Sequence, residues 1–158
     1  MKTTLIRTAL ATSLAAAFSL PAIAAEAAHD HGTAAGAQLE LNQGRKWPTD
    51  EPLRTGMGNM RAALTRELAA IHAGKASDAQ YEALATRLTG EVAYVVQNCK
   101  LEPKADAELH KVIAEVLGGA EAMQGKEPGV ARRDGAVRVV KALNAYGRYF
   151  DDPGWRDL

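Results

Sequence analysis

The chain of 158 residues contains a single cysteine, Cys99, so no disulfide can form within it. Basic and acidic side chains are equal in number, at 19 each, which leaves no net charge. A surface of this kind lacks the positive field that nucleic acids or anionic membranes attract. No Cys-x-x-Cys-His motif is present, which excludes covalent attachment of a c-type haem. These absences argue against disulfide scaffolds, nucleic-acid binders and c-type cytochromes.

No arrangement typical of a catalytic centre stands out in the sequence. Neither a combination of serine, histidine and aspartate nor a pair of carboxylates suggests nucleophilic or acid–base catalysis. We therefore expect a protein that is not an enzyme. Alternation of apolar and polar residues, the mark of a β-strand, is missing as well.

The N-terminus has the three parts of a secretory signal peptide. Lys2 and Arg7 form a basic start, residues 8–20 form a short apolar run, and residues 21–24 form a small-residue cleavage site. An uncleaved anchor helix is the alternative, but the run is shorter than the about 20 residues of a membrane span. We expect cleavage after Ala24, which leaves 17 basic against 19 acidic side chains. The mature protein is then periplasmic and has no membrane span.

A leader and four helical segments follow the signal peptide. Residues 25–45 are rich in Ala, Gly and small polar side chains, which predicts a flexible leader. In residues 46–158, apolar side chains recur at steps of three and four, the spacing of a helix face. Asp50 or Thr49 is the expected N-cap of the first helix, and Ser77 opens the second. The apolar stripe of the fourth helix comprises Val137, Val140, Leu143, Tyr146 and Phe150.

Helices of roughly 20 residues joined by short connections favour packing as antiparallel neighbours. The sequence therefore predicts an all-α fold, an antiparallel up-down-up-down four-helix bundle. In that topology the start of helix 1, the end of helix 2, the start of helix 3 and the end of helix 4 meet at one end. The single cysteine, two of the four methionines and both tryptophans fall there. Thiolate, thioether and imidazole are ligands that suit Cu(I). We predict a copper site formed by Met57, Met60, Cys99 and His110.

Each of these residues also has an ordinary structural interpretation. Methionine at helical spacing usually fills a core, and a buried cysteine usually behaves as a small apolar residue. A neutral His110 near a helix N-terminus can cap or pack there. Gly56 and Gly58 weaken a helix by about 1 kcal/mol each, which indicates close approach of a neighbouring helix or a ligand. His29 and His31 of the leader are further imidazoles whose part in metal binding stays open.

Two stretches carry a more specific pattern. They read LNxGxKWxTDxxLRxGM from Leu41 to Met57 and NCKLxPxADxxLH from Asn98 to His110. With these motifs the chain resembles, over residues 40–157, a family of uncharacterised proteobacterial periplasmic proteins. The resemblance implies a small periplasmic helical bundle behind a leader that often contains histidine. It implies no activity.

We therefore expect a periplasmic protein that binds a soft metal ion, with copper favoured, for buffering or delivery. The alternative is a cofactor-free structural or interaction bundle that presents its Trp47 and Trp155 end to a protein partner. Side-chain geometry separates the two hypotheses, because metal ligands must converge on one point.

Overall fold

The computed structural model describes residues 38–158, which fold into four α-helices. The predicted signal peptide, His29 and His31 lie outside the described residues. No β-strand occurs in this part of the chain, and the predicted all-α fold is confirmed. None of the described helices combines the length and apolar composition that a membrane crossing needs. The helices are α1 Glu51–His72, α2 Asp78–Asn98, α3 Pro103–Met123 and α4 Arg132–Tyr149.

The helix ends follow the capping residues that the sequence indicates. Asp50 is the N-cap of α1, and its Oδ1 accepts the Leu53 N–H at 2.9 Å. Ser77 and Gln80 form a reciprocal capping box at the start of α2. Gly74, after α1, has a φ of 65°, in the left-handed region that favours glycine. These local signals explain the starts of α1 and α2 and the end of α1, whereas α3 and α4 begin without a side-chain cap.

Contacts join the start of α1 to the end of α2 and the start of α2 to the end of α1, so these two helices are antiparallel. At one end of the pair, Asp50 Oδ2 accepts the Lys100 N–H at 2.6 Å. At the other end, Gln80 Nε2 donates to Glu67 Oε2 at 3.1 Å. α2 also packs on α3, and α1 on α4, which closes the group of helices around one core. The up-down-up-down order of the whole bundle stays a prediction.

The most extensive helix pairing joins α3 and α4 and depends on glycine. A Cβ on Gly135 would lie 2.5 Å from the Gly119 carbonyl oxygen, and a Cβ on Gly119 would lie 2.6 Å from the Gly135 carbonyl oxygen. Any side chain at either position would force the helices apart. Beside the crossing, the Arg138 guanidinium fills the notch at Gly118 and pairs with Glu115 at 2.8 Å.

Because of this crossing, α4 buries a different set of side chains from the predicted apolar stripe. Val137, expected in the core, is 39% exposed, and Val140 is only partly buried. Val139 and Ala136 are buried in their place. The small residues Gly135 and Ala136 must face α3 for the close crossing, so the buried face of α4 is displaced by one residue at its start.

Part of the predicted leader is fixed to the bundle. The Glu40 N–H donates to Glu108 Oε2 at 2.9 Å, and Lys111 Nζ donates to the Gln38 carbonyl oxygen at 3.0 Å. Glu108 is a buried charged residue of α3, so its carboxylate needs partners of this kind. Residues 38 and 40 of the predicted leader therefore contact α3, and the flexibility of the leader stays a prediction.

Candidate functional site

The start of α1 and the end of α4 are joined by main-chain hydrogen bonds. The Trp47 N–H donates to the Tyr149 carbonyl oxygen at 2.8 Å, and the Asp151 N–H donates to the Trp47 carbonyl oxygen at 2.8 Å. The hydrogen bond from the Lys100 N–H to Asp50 joins the end of α2 to the same region. We call this region the closed end of the bundle; it comprises residues 46–57, 98–101 and 146–155.

Asp50 holds the closed end together as a carboxylate. Besides the Leu53 and Lys100 N–H groups, it accepts a hydrogen bond from the Cys99 thiol. Partial burial is the largest single influence and opposes the charged form, but the hydrogen bonds outweigh burial and lower the pKa of Asp50. One ionised side chain thus caps α1 and fixes the residues that follow α2.

Cys99 is a free, partly buried cysteine at the C-cap of α2. Burial, the hydrogen bond to Asp50 and repulsion by the charges of Asp50 and Asp106 raise the pKa of Cys99 to about 12. The thiolate is the form of cysteine that attacks electrophiles and binds metals. Cys99 is therefore a protonated thiol at neutral pH. In this form it is a poor nucleophile, and it must lose its proton before it can bind a metal ion.

Tyr146 fills the centre of the closed end. Its ring stacks on Phe150, with centroids 5.3 Å apart, and meets the Trp155 ring edge-on at 4.8 Å. Its hydroxyl donates to Asp152 Oδ2 at 3.2 Å. Burial first, then the negative charge of Asp152, raise the pKa of Tyr146 far above its usual range. The phenol therefore stays neutral and serves as a hydrogen-bond donor.

The four predicted copper ligands lie in different environments. Met57 and Met60 have no exposed surface and belong to the core, whereas Cys99 is partly buried. The His110 side chain is 61% exposed, and its Nδ1 lies 2.9 Å from the Asp106 carbonyl oxygen. His110 faces solvent because each residue of a helix rotates the side-chain direction by about 100°, and position 110 falls outside the buried face of α3. Within residues 38–158, no three or more His, Cys, Asp or Glu side chains form a metal-binding group. Copper binding stays a prediction.

The glycines that flank Met57 have different surroundings. A Cβ on Gly56 would lie 2.3 Å from Val95 Cγ2, so a neighbouring helix approaches the backbone there, one of the two expected causes. Gly58 faces open space, with nothing within 4 Å of its Cβ position. Gly56 therefore serves the packing of α1 on α2, and Gly58 has no packing role.

The two tryptophans pack inward at the closed end. Trp47 is buried, and its Nε1 donates to the Glu40 carbonyl oxygen at 2.6 Å. Trp155 is partly buried, and its Nε1 is a buried donor with no hydrogen-bond partner among the described residues. The surface expected to present both rings to a partner is therefore largely used within the chain itself.

A solvent-open cleft of about 750 Å³ adjoins the closed end, between the start of α1 and the loop that follows α4. Its walls carry three carboxylates and the Arg54 guanidinium, whose NH1 donates to the Thr49 carbonyl oxygen at 2.8 Å and to Thr49 Oγ1 at 3.0 Å. Sequence reasoning did not single out these acidic residues. The signal that it missed is the acidic pair Asp50–Glu51 at the start of α1 and the acidic pair Asp151–Asp152 after α4, since these two helix ends meet. We call this the acidic cleft; it is lined by Pro48, Thr49, Glu51, Arg54, Thr55 and residues 151–154.

Comparison with known proteins finds no protein-family model that matches this chain, no similar curated protein and no similar solved structure. The resemblance to periplasmic bundle proteins therefore stays a prediction. Any functional conclusion has to come from the side chains themselves.

Proposed function

We propose that this protein is a non-enzymatic periplasmic binding protein that works without a cofactor and docks a basic segment of a partner protein in the acidic cleft. The observation that carries the proposal is the cleft itself, in which three carboxylates face one arginine. The cleft has a volume of about 750 Å³ and is widely open to solvent, so a segment of another protein can enter it from the surface.

The charges of the cleft favour a partner with lysine or arginine side chains. Glu51 and Asp151 are exposed, so each is free to meet a cation from solvent. Arg54 supplies the one positive charge among the lining residues, and its NH1 is held by two hydrogen bonds to Thr49. Exposed ion pairs contribute less than about 1 kcal/mol each, so we expect modest affinity and strong salt dependence.

The walls of the cleft are held in place before any partner binds. Thr49 Oγ1 donates to the Asp151 carbonyl oxygen at 2.6 Å, which links the start of α1 to the opposite wall. The Tyr146 hydroxyl donates a hydrogen bond to Asp152, and the main-chain pairing of Trp47 with Phe150 holds the same loop in place. A preformed site of this kind avoids the ordering cost that weakens binding to flexible loops.

Binding of a short, fluorescently labelled lysine-rich peptide to the mature protein tests the proposal. The double variant Glu51→Gln/Asp151→Asn should bind about tenfold more weakly, since two exposed charges are lost. Glu102→Gln/Asp134→Asn removes two exposed charges elsewhere and is the matched control. Equal losses in both double variants, or no binding to the wild type, would contradict docking in the cleft.

Copper buffering or delivery is the second candidate function. The observation in its favour is that Cys99, a free thiol, is partly accessible at the closed end. Binding there must remove the thiol proton and break the hydrogen bond to Asp50. Met57 and Met60 must also rearrange, because their sulfurs have no access from solvent. Because of these requirements, copper binding is the second candidate, after the cofactor-free function.

Thermal melts with Cu(I) under reducing conditions distinguish the two functions. A ligand that binds only the folded state raises its melting temperature by mass action. If the copper proposal holds, Cu(I) should stabilise the wild type, and Cys99→Ser and His110→Gln should lose most of that gain. Melting temperatures that do not respond to Cu(I) in any of the three proteins would exclude the copper site and leave the cofactor-free proposal.

A further inference from the structure

Residues 42–45 form a tight hairpin turn just before Trp47. The Asn42 N–H donates to the Arg45 carbonyl oxygen at 2.8 Å, and the Arg45 N–H donates to the Asn42 carbonyl oxygen at 3.0 Å. Between them, Gln43 has a φ of 52° and Gly44 a φ of 82°, the two positive values that a turn of type I′ needs. Gln43 is the one residue other than glycine with a positive φ within residues 38–158. Strained backbone of this kind clusters at functional sites.

The hairpin carries positive charge that the described chain does not neutralise. Arg45 and Lys46 follow the turn, and no acidic residue stands between positions 41 and 49. Lys46 Nζ donates to the Gly147 carbonyl oxygen at 2.7 Å. The Arg45 side chain is exposed and forms no ion pair within residues 38–158. We call residues 42–46 the basic hairpin.

The basic hairpin borders α3, whereas the acidic cleft lies between α1 and the loop after α4. Asn42 and Gln43 border a groove together with Lys104, and none of residues 42–46 lines the acidic cleft. A Cβ on Gly44 would meet nothing within 4 Å, so the turn projects into open space. The hairpin therefore leaves the cleft of its own chain open, and its tip is accessible to another molecule.

We propose that the basic hairpin docks in the acidic cleft of a second copy of this chain, and that the two copies form a two-fold dimer. The dimer rests on the proposed function, because it uses the same cleft and supplies the basic segment that enters it. Charge complementarity selects this occupant, since the exposed Arg45 meets the exposed carboxylates of Glu51 and Asp151. The hairpin is already a closed turn, so docking orders little additional chain.

The positions of the two surfaces favour reciprocal docking. The basic hairpin ends at Lys46 and the lining of the acidic cleft begins at Pro48, with the buried Trp47 between them. In a two-fold dimer each copy gives and receives the same contact, so one interface contains the pair of hairpin and cleft twice. Because the contacts are exposed ion pairs, the dimer should be weak and should depend strongly on salt.

Sedimentation velocity of the mature protein tests the dimer by charge reversal. The wild type should dimerise at low salt and concentrations up to about 1 mM, and it should dissociate in about 1 M salt, where the Debye length is about 3 Å. Arg45→Glu and Asp151→Arg each make both contacts of the dimer repulsive, so each should weaken dimerisation at least about tenfold. Both positions are exposed and lie outside the helices, so the variants should fold. Lys75→Glu, which reverses an exposed charge between α1 and α2, is the matched control and should dimerise as the wild type does.

An equimolar mixture of Arg45→Glu and Asp151→Arg locates the contact. In a mixed dimer, one contact pairs the two reversed charges, and the other pairs Arg45 with Asp151 as in the wild type. Both contacts are then attractive, so the mixture should recover the dimer that neither variant forms alone. A general effect of charge on solubility or stability would not produce this recovery.

Three results would overturn the dimer: a wild type that stays monomeric at about 1 mM and low salt, a dimer that both variants retain, and a mixture that does not recover it. The lysine-rich peptide separates these failures from failure of the proposed function. It should bind to monomeric Arg45→Glu, whose cleft is unchanged. Peptide binding by a monomeric wild type would refute the second copy and leave the cleft as a docking site, whereas no binding to Arg45→Glu would refute both.

Discussion

Removal of the Asp50 charge should make the Cys99 thiol more reactive. The two side chains share a hydrogen bond, and both that bond and the negative charge of Asp50 raise the pKa of Cys99. Asp50→Asn abolishes the charge but keeps an N-cap, because asparagine caps helices about as well as aspartate. The substitution therefore keeps the cap on α1 and removes the charge beside the thiol, but it also loses the hydrogen bond from the Lys100 N–H, because an amide nitrogen cannot accept it. We expect the pKa of Cys99 to fall toward its ordinary value.

The size of the effect follows from the thiolate population. A pKa of about 12 instead of 9.0 makes the thiolate about a thousandfold rarer at neutral pH. Burial is the largest cause of the raised pKa and persists in the variant, as does the charge of Asp106. Asp50→Asn should therefore recover only part of that factor. Since alkylation follows the thiolate fraction, we expect an increase in rate of at least about tenfold.

The assay is the rate of alkylation of the folded protein by iodoacetamide at pH 8, normalised to the same protein in denaturant. Glu102→Gln is the matched control, since it removes a carboxylate three residues from Cys99 that does not affect the pKa of the thiol. Its rate should equal that of the wild type. If Asp50→Asn reacts no faster than Glu102→Gln, Asp50 does not raise the pKa of the thiol. The argument that Cys99 must lose a tightly held proton before it binds a metal ion is then wrong as well.

Other substitutions test the packing and the fixed N-terminal segment. Gly135→Ala places a Cβ 2.5 Å from a backbone oxygen of α3 and should destabilise by at least about 1–3 kcal/mol in urea unfolding. Gly58→Ala meets nothing within 4 Å and should stabilise by about 0.5–1 kcal/mol. Burial is the largest influence on Glu108 and opposes its charge, yet hydrogen bonds lower its pKa, so its stabilising effect is fully present above its ordinary pKa of 4.5 and is lost as the pH falls through the lowered pKa. Glu108→Gln should remove that acid-side loss from a plot of melting temperature against pH. Leu88→Asp should abolish the cooperative melt, whereas Arg87→Asp at the exposed neighbouring position should leave the circular dichroism spectrum unchanged.

The predictable part of the fold is the part that local chemistry decides. Asp50 and Ser77 begin helices because their side chains accept backbone N–H groups that a helix leaves unpaired. Gly74 ends one because glycine adopts a left-handed conformation without strain. Each signal acts within three or four residues of its position. The sequence therefore indicates the starts of α1 and α2 and the end of α1 directly.

The missed features depend on contacts between distant parts of the chain. The contacts of Gln38 and Glu40 are made with Lys111 and Glu108, which lie about two helices away along the chain. The rotation of α4 comes from the glycine crossing with α3. Neither leaves a periodic signal, because Val137 and Val139 are equally apolar and only the partner helix decides which is buried.

At the candidate site, chain topology predicts which residues meet but not the direction or protonation of their side chains. Chain order brings the start of α1 to the ends of α2 and α4, so Asp50, Cys99 and Tyr146 do meet at one end of the bundle. What a group can do there depends on its direction and its protonation, and neither follows from position along the chain. His110 is turned outward by a single helical step, and the Cys99 thiol is kept protonated by the same carboxylate that caps α1. Of the predicted soft ligands, Met57 and Met60 lie in the core and Cys99 packs against it, whereas His110 faces solvent. The acidic cleft differs in that Glu51 and Asp151 on its walls are exposed.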